Sequence, residues 1–123
     1  MRRMVMLAVA GLMSLPSLAA AQQTGTYKAR LEPEAKNIGV CMRLDTALRR
    51  EHTLTVTAKD ALVVGAGGVK AKMKPAGANV YQNGTVQIGG DQFVIVADLS
   101  RKPGTLVVTD SRMGCRWSGE LTQ

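Results

Sequence analysis

The run Val69-Lys70-Ala71-Lys72-Met73-Lys74-Pro75 sets the reading of this chain. Apolar and lysine side chains alternate with a period of two, the pattern of a strand with one covered face and one open face. Pro75 and Gly77 end it, because proline has no amide hydrogen to give to a ladder. Upstream, Gly65-Ala66-Gly67-Gly68 reads as a turn after the apolar strand Ala61-Leu62-Val63-Val64, and Lys59-Asp60 as the turn before that strand. From His52 the same alternation puts Leu54, Val56 and Ala58 on one face and Thr53, Thr55 and Thr57 on the other. Downstream, Asn83-Gly84 suits a two-residue hairpin with Tyr81 across from Val86, since both turn residues tolerate positive φ.

The two ends of the chain read the same way. Tyr27, Ala29 and Leu31 share a face of a first strand that Glu32-Pro33-Glu34 breaks. A second strand is expected from Asn37 to about Leu44, with Ile38, Val40, Met42 and Leu44 on one side and Cys41 on the other, leaving through a bulge. Asp45 suits the cap of a short helical turn over Thr46 to Arg50, with an ordinary loop as the alternative. Gly89-Gly90-Asp91 ends the hairpin, and the apolar run Gln92 to Ala97 predicts a central strand covered on both faces. Thr105 to Thr109 follows, and a last strand turns Cys115, Trp117, Gly119 and Leu121 inward. Eight or nine short strands with no helix of ten residues predict an all-β fold, a small antiparallel barrel or sandwich of about eight strands stapled by one disulfide.

Residues 1–21 have the form of an export signal: Arg2 and Arg3, an apolar stretch from Met4 to Leu15, Pro16, and the small residues Ala19-Ala20-Ala21 before a cut after Ala20 or Ala21. The apolar stretch is too short for a permanent membrane anchor. No cysteine follows the cut immediately, so a lipid anchor is not offered and a periplasmic or secreted product is expected. Removing 21 of 123 residues leaves 102, one all-β domain over 22–123. The formal charge falls from +7 to +5 with the loss of Arg2 and Arg3, which favours acidic partners or anionic envelope polymers. Tyr27, Tyr81, Phe93 and Trp117 are the only aromatics, a poor supply of stacking platforms, so nucleic acid is not an expected partner.

Cys41 and Cys115 are the only cysteines, and in an oxidising compartment a lone pair is read as a structural bridge. Closing a loop of about 75 residues removes unfolded-chain freedom worth about 4 to 5 kcal/mol. A redox-active pair or a metal site lacks support, for there is no Cys-x-x-Cys and no second histidine. Neither a metal nor any other cofactor is expected.

Residues for catalysis are scarce as well. His52 is the single histidine, at a strand start beside Glu51, and Ser100, Ser111 and Ser118 stand in no Gly-x-Ser-x-Gly elbow. Asp91, Asp98 and Asp110 fall in turns, where aspartate bonds the local backbone. The glycines at 65–68 lack the lysine and helix of a phosphate-cradling loop. No catalytic residue is assigned and the chain is not expected to be an enzyme.

Lys70, Lys72 and Lys74 are the most specific surface feature: three charges about 6 to 7 Å apart on one face. Two readings stand, an edge strand protected by lysine against pairing with other chains and a contact for lipopolysaccharide phosphates, cell-wall polymer or an acidic protein. Arg49, Arg50, Arg101 and Lys102 are candidate extensions of the second. A non-enzymatic binding module for an anionic envelope component or acidic protein is the expected function. The row Thr53, Thr55 and Thr57 is a solvated strand face, one row without repeats.

Gly77-Ala78-Asn79-Val80-Tyr81, the hairpin after it, Gly90-Asp91 and the early and late cysteines together resemble the layout of periplasmic C-type lysozyme inhibitors. The resemblance covers about a third of the mature chain and implies an eight-stranded barrel and inhibition of a hydrolase. Pro75-Ala76 and Gly89 stand where that family carries a serine and a lysine for the target's cleft. A structural subunit of an envelope complex is the remaining alternative.

Overall fold

The structure is a computed structural model that describes residues 24–37, 39–65, 69–83, 86–88 and 90–123. The segment read as an export signal lies outside the described residues. In chain order come β1 (Gly25–Arg30), β2 (Glu32–Pro33), a 3-10 turn (Gly39–Cys41) leading into α1 (Met42–Leu48), β3 (Glu51–Val56), β4 (Ala61–Gly65) and β5 (Lys70–Gly77). Then follow β6 (Val80–Gln82), β7 (Val86–Ile88), β8 (Asp91–Asp98), β9 (Gly104–Asp110) and β10 (Arg116–Leu121).

The strands pair antiparallel in the order β1-β3-β4-β5-β6-β8-β9-β10-β2, with β7 on the same flank of β8 as β6. β1 bends past Leu31 into β2, so one strand serves both ends of this order: β1 pairs with β3, and β2 pairs with β10 through Trp117↔Pro33. Lys28 and Thr122 exchange both backbone hydrogen bonds, 2.7 and 2.9 Å, across the same seam. The result is a nearly closed barrel rather than an open sandwich. Counting β1–β2 and β6–β7 each as one interrupted strand gives eight staves in up-and-down order among the described residues. Gly119 is required at the seam, because a Cβ there would stand 2.4 Å from the Arg30 carbonyl oxygen. β5 is the second corner: it pairs with β4 through Lys70–Met73 and with β6 through Lys74–Gly77, with an irregularity between Pro75 and Gly77.

Four local expectations are corrected. The stretch around Met42 to Leu44 is helical, not strand, since Leu44 and Leu48 are four apart and both bury one helical face. A helix of seven residues is marginal alone. Here it is tied down by the disulfide at its start and by those two leucines. It also explains Cys41, which leaves from the 3-10 turn rather than from a bulge.

The second correction concerns Asn83-Gly84, which is not the hairpin turn. Tyr81 pairs with Ala97 and Val86 with Phe93, so β6–β7 runs antiparallel to β8 along its length. Ile88 pairs with Asp91, so the chain reverses between them, with Gly90 at φ of 89°. The register moves by one residue between the pairs Gln82↔Val96 and Val86↔Phe93, a bulge. Asn83 spans it, donating from Nδ2 to the Phe93 carbonyl (3.3 Å) and accepting from the Ile95 amide at Oδ1 (2.6 Å). Lastly, Ala58 is exposed beyond the end of β3. β8 alternates buried Phe93, Ile95 and Ala97 with half-buried Val94 and Val96 rather than being fully covered on both faces.

The barrel interior holds the inward residues of every long strand, among them Leu54, Val63, Met73, Ile95, Leu106 and Val108. Trp117 is fully buried as expected, edge-on to Phe93 with ring centroids 6.3 Å apart. Its indole N–H donates to Asp45 Oδ1 of α1 at 2.9 Å. The Cys41–Cys115 disulfide, with 5.9 Å between Cα atoms, joins the start of α1 to the strand that carries Trp117. Bridge, indole bond and buried leucines hold α1 over the barrel end where β3, β8 and β10 begin.

Candidate functional site

Lys70, Lys72 and Lys74 are all exposed on the outside of β5, while Ala71 and Met73 between them are buried. The alternation read from sequence therefore holds, and the three cations share one outer face. β5 lies between β4 and β6 in the strand order, so these lysines do not guard a sheet edge. The register extends the face sideways. Lys70 stands across from Val64, Val64 across from Thr53, and Thr53 across from Lys28; the next row is Lys72, Leu62, Thr55 and Thr26. Three lysines, three threonines and two aliphatic side chains make up these two rows, with no acid among them.

Ion pairing divides the cations. Among the described residues all six salt bridges use arginine: Arg30, Arg43, Arg49, Arg112 and Arg116 meet Glu32, Glu34, Asp45 or Asp91. No lysine takes part in one. The arginine pairs all sit around α1 and the strand ends it covers, where acids are nearly as numerous as bases. The uncompensated positive charge lies on the barrel wall and at the opposite end.

Of the candidate extensions, Arg49 bonds Glu32 at 3.0 Å and Arg50 donates to the Thr46 carbonyl at 2.7 Å, both beside α1. Arg101 and Lys102 lie in the β8–β9 connection at the far end of the barrel. None belongs to the lysine rows. Lys28 does, and nothing local marks it, because its place depends on the pairing of four strands.

A second cluster was also missed. Asp91, expected to bond its local backbone, is buried and instead receives both terminal nitrogens of Arg43, at 3.0 and 3.2 Å, and one of Arg112 at 3.4 Å. Hydrogen bonds from Arg43 hold its carboxyl below the usual carboxylate range, and the carboxylate in turn raises Arg43. A concavity of about 350 Å³ beside it is lined by Gln87, Gly90, Gln92, Ser111 and Arg112. Asp98 and Asp110 follow expectation, accepting from the amides of Ser100 (2.9 Å) and Met113 (2.7 Å). The Ser100 bonds lower the Asp98 pKa.

His52 is fully buried against Gly65, where a Cβ would come within 2.4 Å of the ring. Nδ1 lies 3.0 Å from the Arg50 carbonyl, and Nε2 has no partner among the described residues. Burial pushes its pKa down. With no access to solvent and no serine or acid bonded to it, the ring is placed as part of the core.

The segments that carry the resemblance lie at opposite ends of the barrel. Gly77 to Val80 form the β5–β6 turn, with Asn79 at φ 60°, and Gly90-Asp91 begin β8 beneath α1. Tyr81 is buried. No protein-family model matches the chain, and no curated protein or solved structure is significantly similar to it. Among the described residues no helix is long and apolar enough to cross a membrane, and no group of three or more metal-ligating side chains is present.

Proposed function

We propose that this protein is an exported, non-enzymatic binding module that engages an anionic component of the cell envelope, or an acidic protein, through the wall built around Lys70, Lys72 and Lys74. The observation that carries the reading is the division of charge. Among the described residues five of seven arginines are committed to ion pairs, whereas the lysines of the wall stand exposed and take part in none. Unpaired cations on a rigid sheet attract anions at long range, over a screening distance of about 8 to 10 Å at physiological salt. The disulfide supports an oxidising compartment outside the cytosol.

An affinity capture from envelope extract tests this, run at low and high salt with the mature chain and with Lys70→Gln/Lys72→Gln/Lys74→Gln. An anionic component retained at low salt, released at high salt and lost with the triple variant is the expected result. Capture that the triple substitution leaves unchanged rejects the lysine wall as the binding surface.

A further inference from the structure

The wall is not purely polar. Val64, 44% exposed, is one of three large hydrophobic side chains left open among the described residues, and it lies directly across from Lys70. Leu62, half-buried, lies across from Lys72. A soluble polyanion offers phosphates or carboxylates to the lysines and nothing to cover these aliphatic groups. A bilayer of anionic phospholipid offers both, phosphates at its surface and the glycerol and upper acyl region just beneath.

We propose, resting on the reading of the wall as an anion-binding surface, that its partner is an anionic phospholipid bilayer on which the β1-β3-β4-β5 face lies. Strands stand about 4.8 Å apart, so Lys28 and Lys70 flank the Val64 row at a separation of about 14 Å. Two phosphates can therefore be met on either side of the aliphatic strip. The threonine hydroxyls of β1 and β3 donate to phosphate oxygens between them. The absence of acid from the two rows removes the repulsion that would hold a negative surface away.

The test is co-sedimentation of the mature chain with vesicles of phosphatidylglycerol and phosphatidylcholine, and of phosphatidylcholine alone, beside capture on immobilised inorganic polyphosphate. Each lysine near an anionic membrane contributes about a fivefold gain in partitioning, so the triple glutamine variant should lose about a hundredfold on the anionic vesicles. Leu62→Ser/Val64→Ser, with its fold checked by circular dichroism, should weaken vesicle binding and leave polyphosphate capture unchanged. Equal binding to both vesicle types, or serine substitutions that leave vesicle binding as it was, overturns the membrane assignment. Capture on polyphosphate without vesicle binding overturns it too, while leaving the anion-binding reading in place. Failure on both matrices removes both.

Discussion

Replacing Trp117 by alanine removes the largest fully buried side chain and tests how α1 is held to the barrel. Truncation of a buried tryptophan costs about 3 to 5 kcal/mol through lost transfer energy and the cavity left behind. Two further contacts push toward the upper end. The edge-on contact with Phe93 contributes about 0.5 to 1.5 kcal/mol, and the indole bond to a carboxylate about 1.5 to 3 kcal/mol. Trp117→Phe keeps much of the ring while losing the bond, and should cost about 2 kcal/mol. Against a total of about 5 to 15 kcal/mol for a small domain, the alanine variant loses a large share. Urea unfolding followed by circular dichroism, with the disulfide intact, reads both values. A cost below about 1 kcal/mol for alanine, or red-shifted and freely quenched emission from the wild-type tryptophan, would refute the inward placement and the α1 tether.

Asn83→Ala should cost about 1 to 3 kcal/mol in the same assay, because it strips partners from the Phe93 carbonyl and Ile95 amide; a neutral result would mean that Asn83 is an exposed turn residue after all. His52 has a folded-state pKa below its ordinary 6.5, so its contribution is complete above about pH 6.5 and is lost as pH falls toward the lowered value. His52→Gln should flatten that part of the stability profile, measured by urea midpoint against pH, and an unchanged slope would exclude the buried ring as its source. Intact mass of the chain should rise by two hydrogen atoms on reduction of the disulfide to two thiols, and reduction should lower stability by about 4 to 5 kcal/mol; two alkylatable thiols in native material would contradict the bridge.

What the sequence made legible were patterns contained within one strand. Lys70 to Lys74 and Cys115 to Leu121 alternate so strictly that only one face of each can be covered, and both faces are placed as read. What it concealed depends on partners far along the chain. Asn83-Gly84 and Gly89-Gly90 both read as good local turns in the sequence; the pairing of β6 and β7 along β8, with Phe93 and Ile95 inward, decides between them. The segment 42–48 fits a period of two over its first residues and a helical face through Leu44 and Leu48, and the barrel end that the helix covers decides between them. Asp91 looked like a turn residue because Arg43 is 48 positions away and Arg112 lies in another turn. Likewise the lysine strand's outward face was readable, but not its aliphatic and threonine neighbours, nor the fact that β5 is no edge.

The most direct measurement compares two charge-matched triple variants for binding to inorganic polyphosphate at low salt: Lys70→Gln/Lys72→Gln/Lys74→Gln on the wall, and Lys59→Gln/Arg101→Gln/Lys102→Gln in the connections at the far end of the barrel. Net charge falls equally in both, so any difference belongs to position. The unpaired wall predicts a large loss of affinity and a flatter salt dependence for the first variant, with near wild-type binding for the second. Equal losses would make net charge the whole explanation, and a loss confined to the second would place the binding surface at the other end of the barrel.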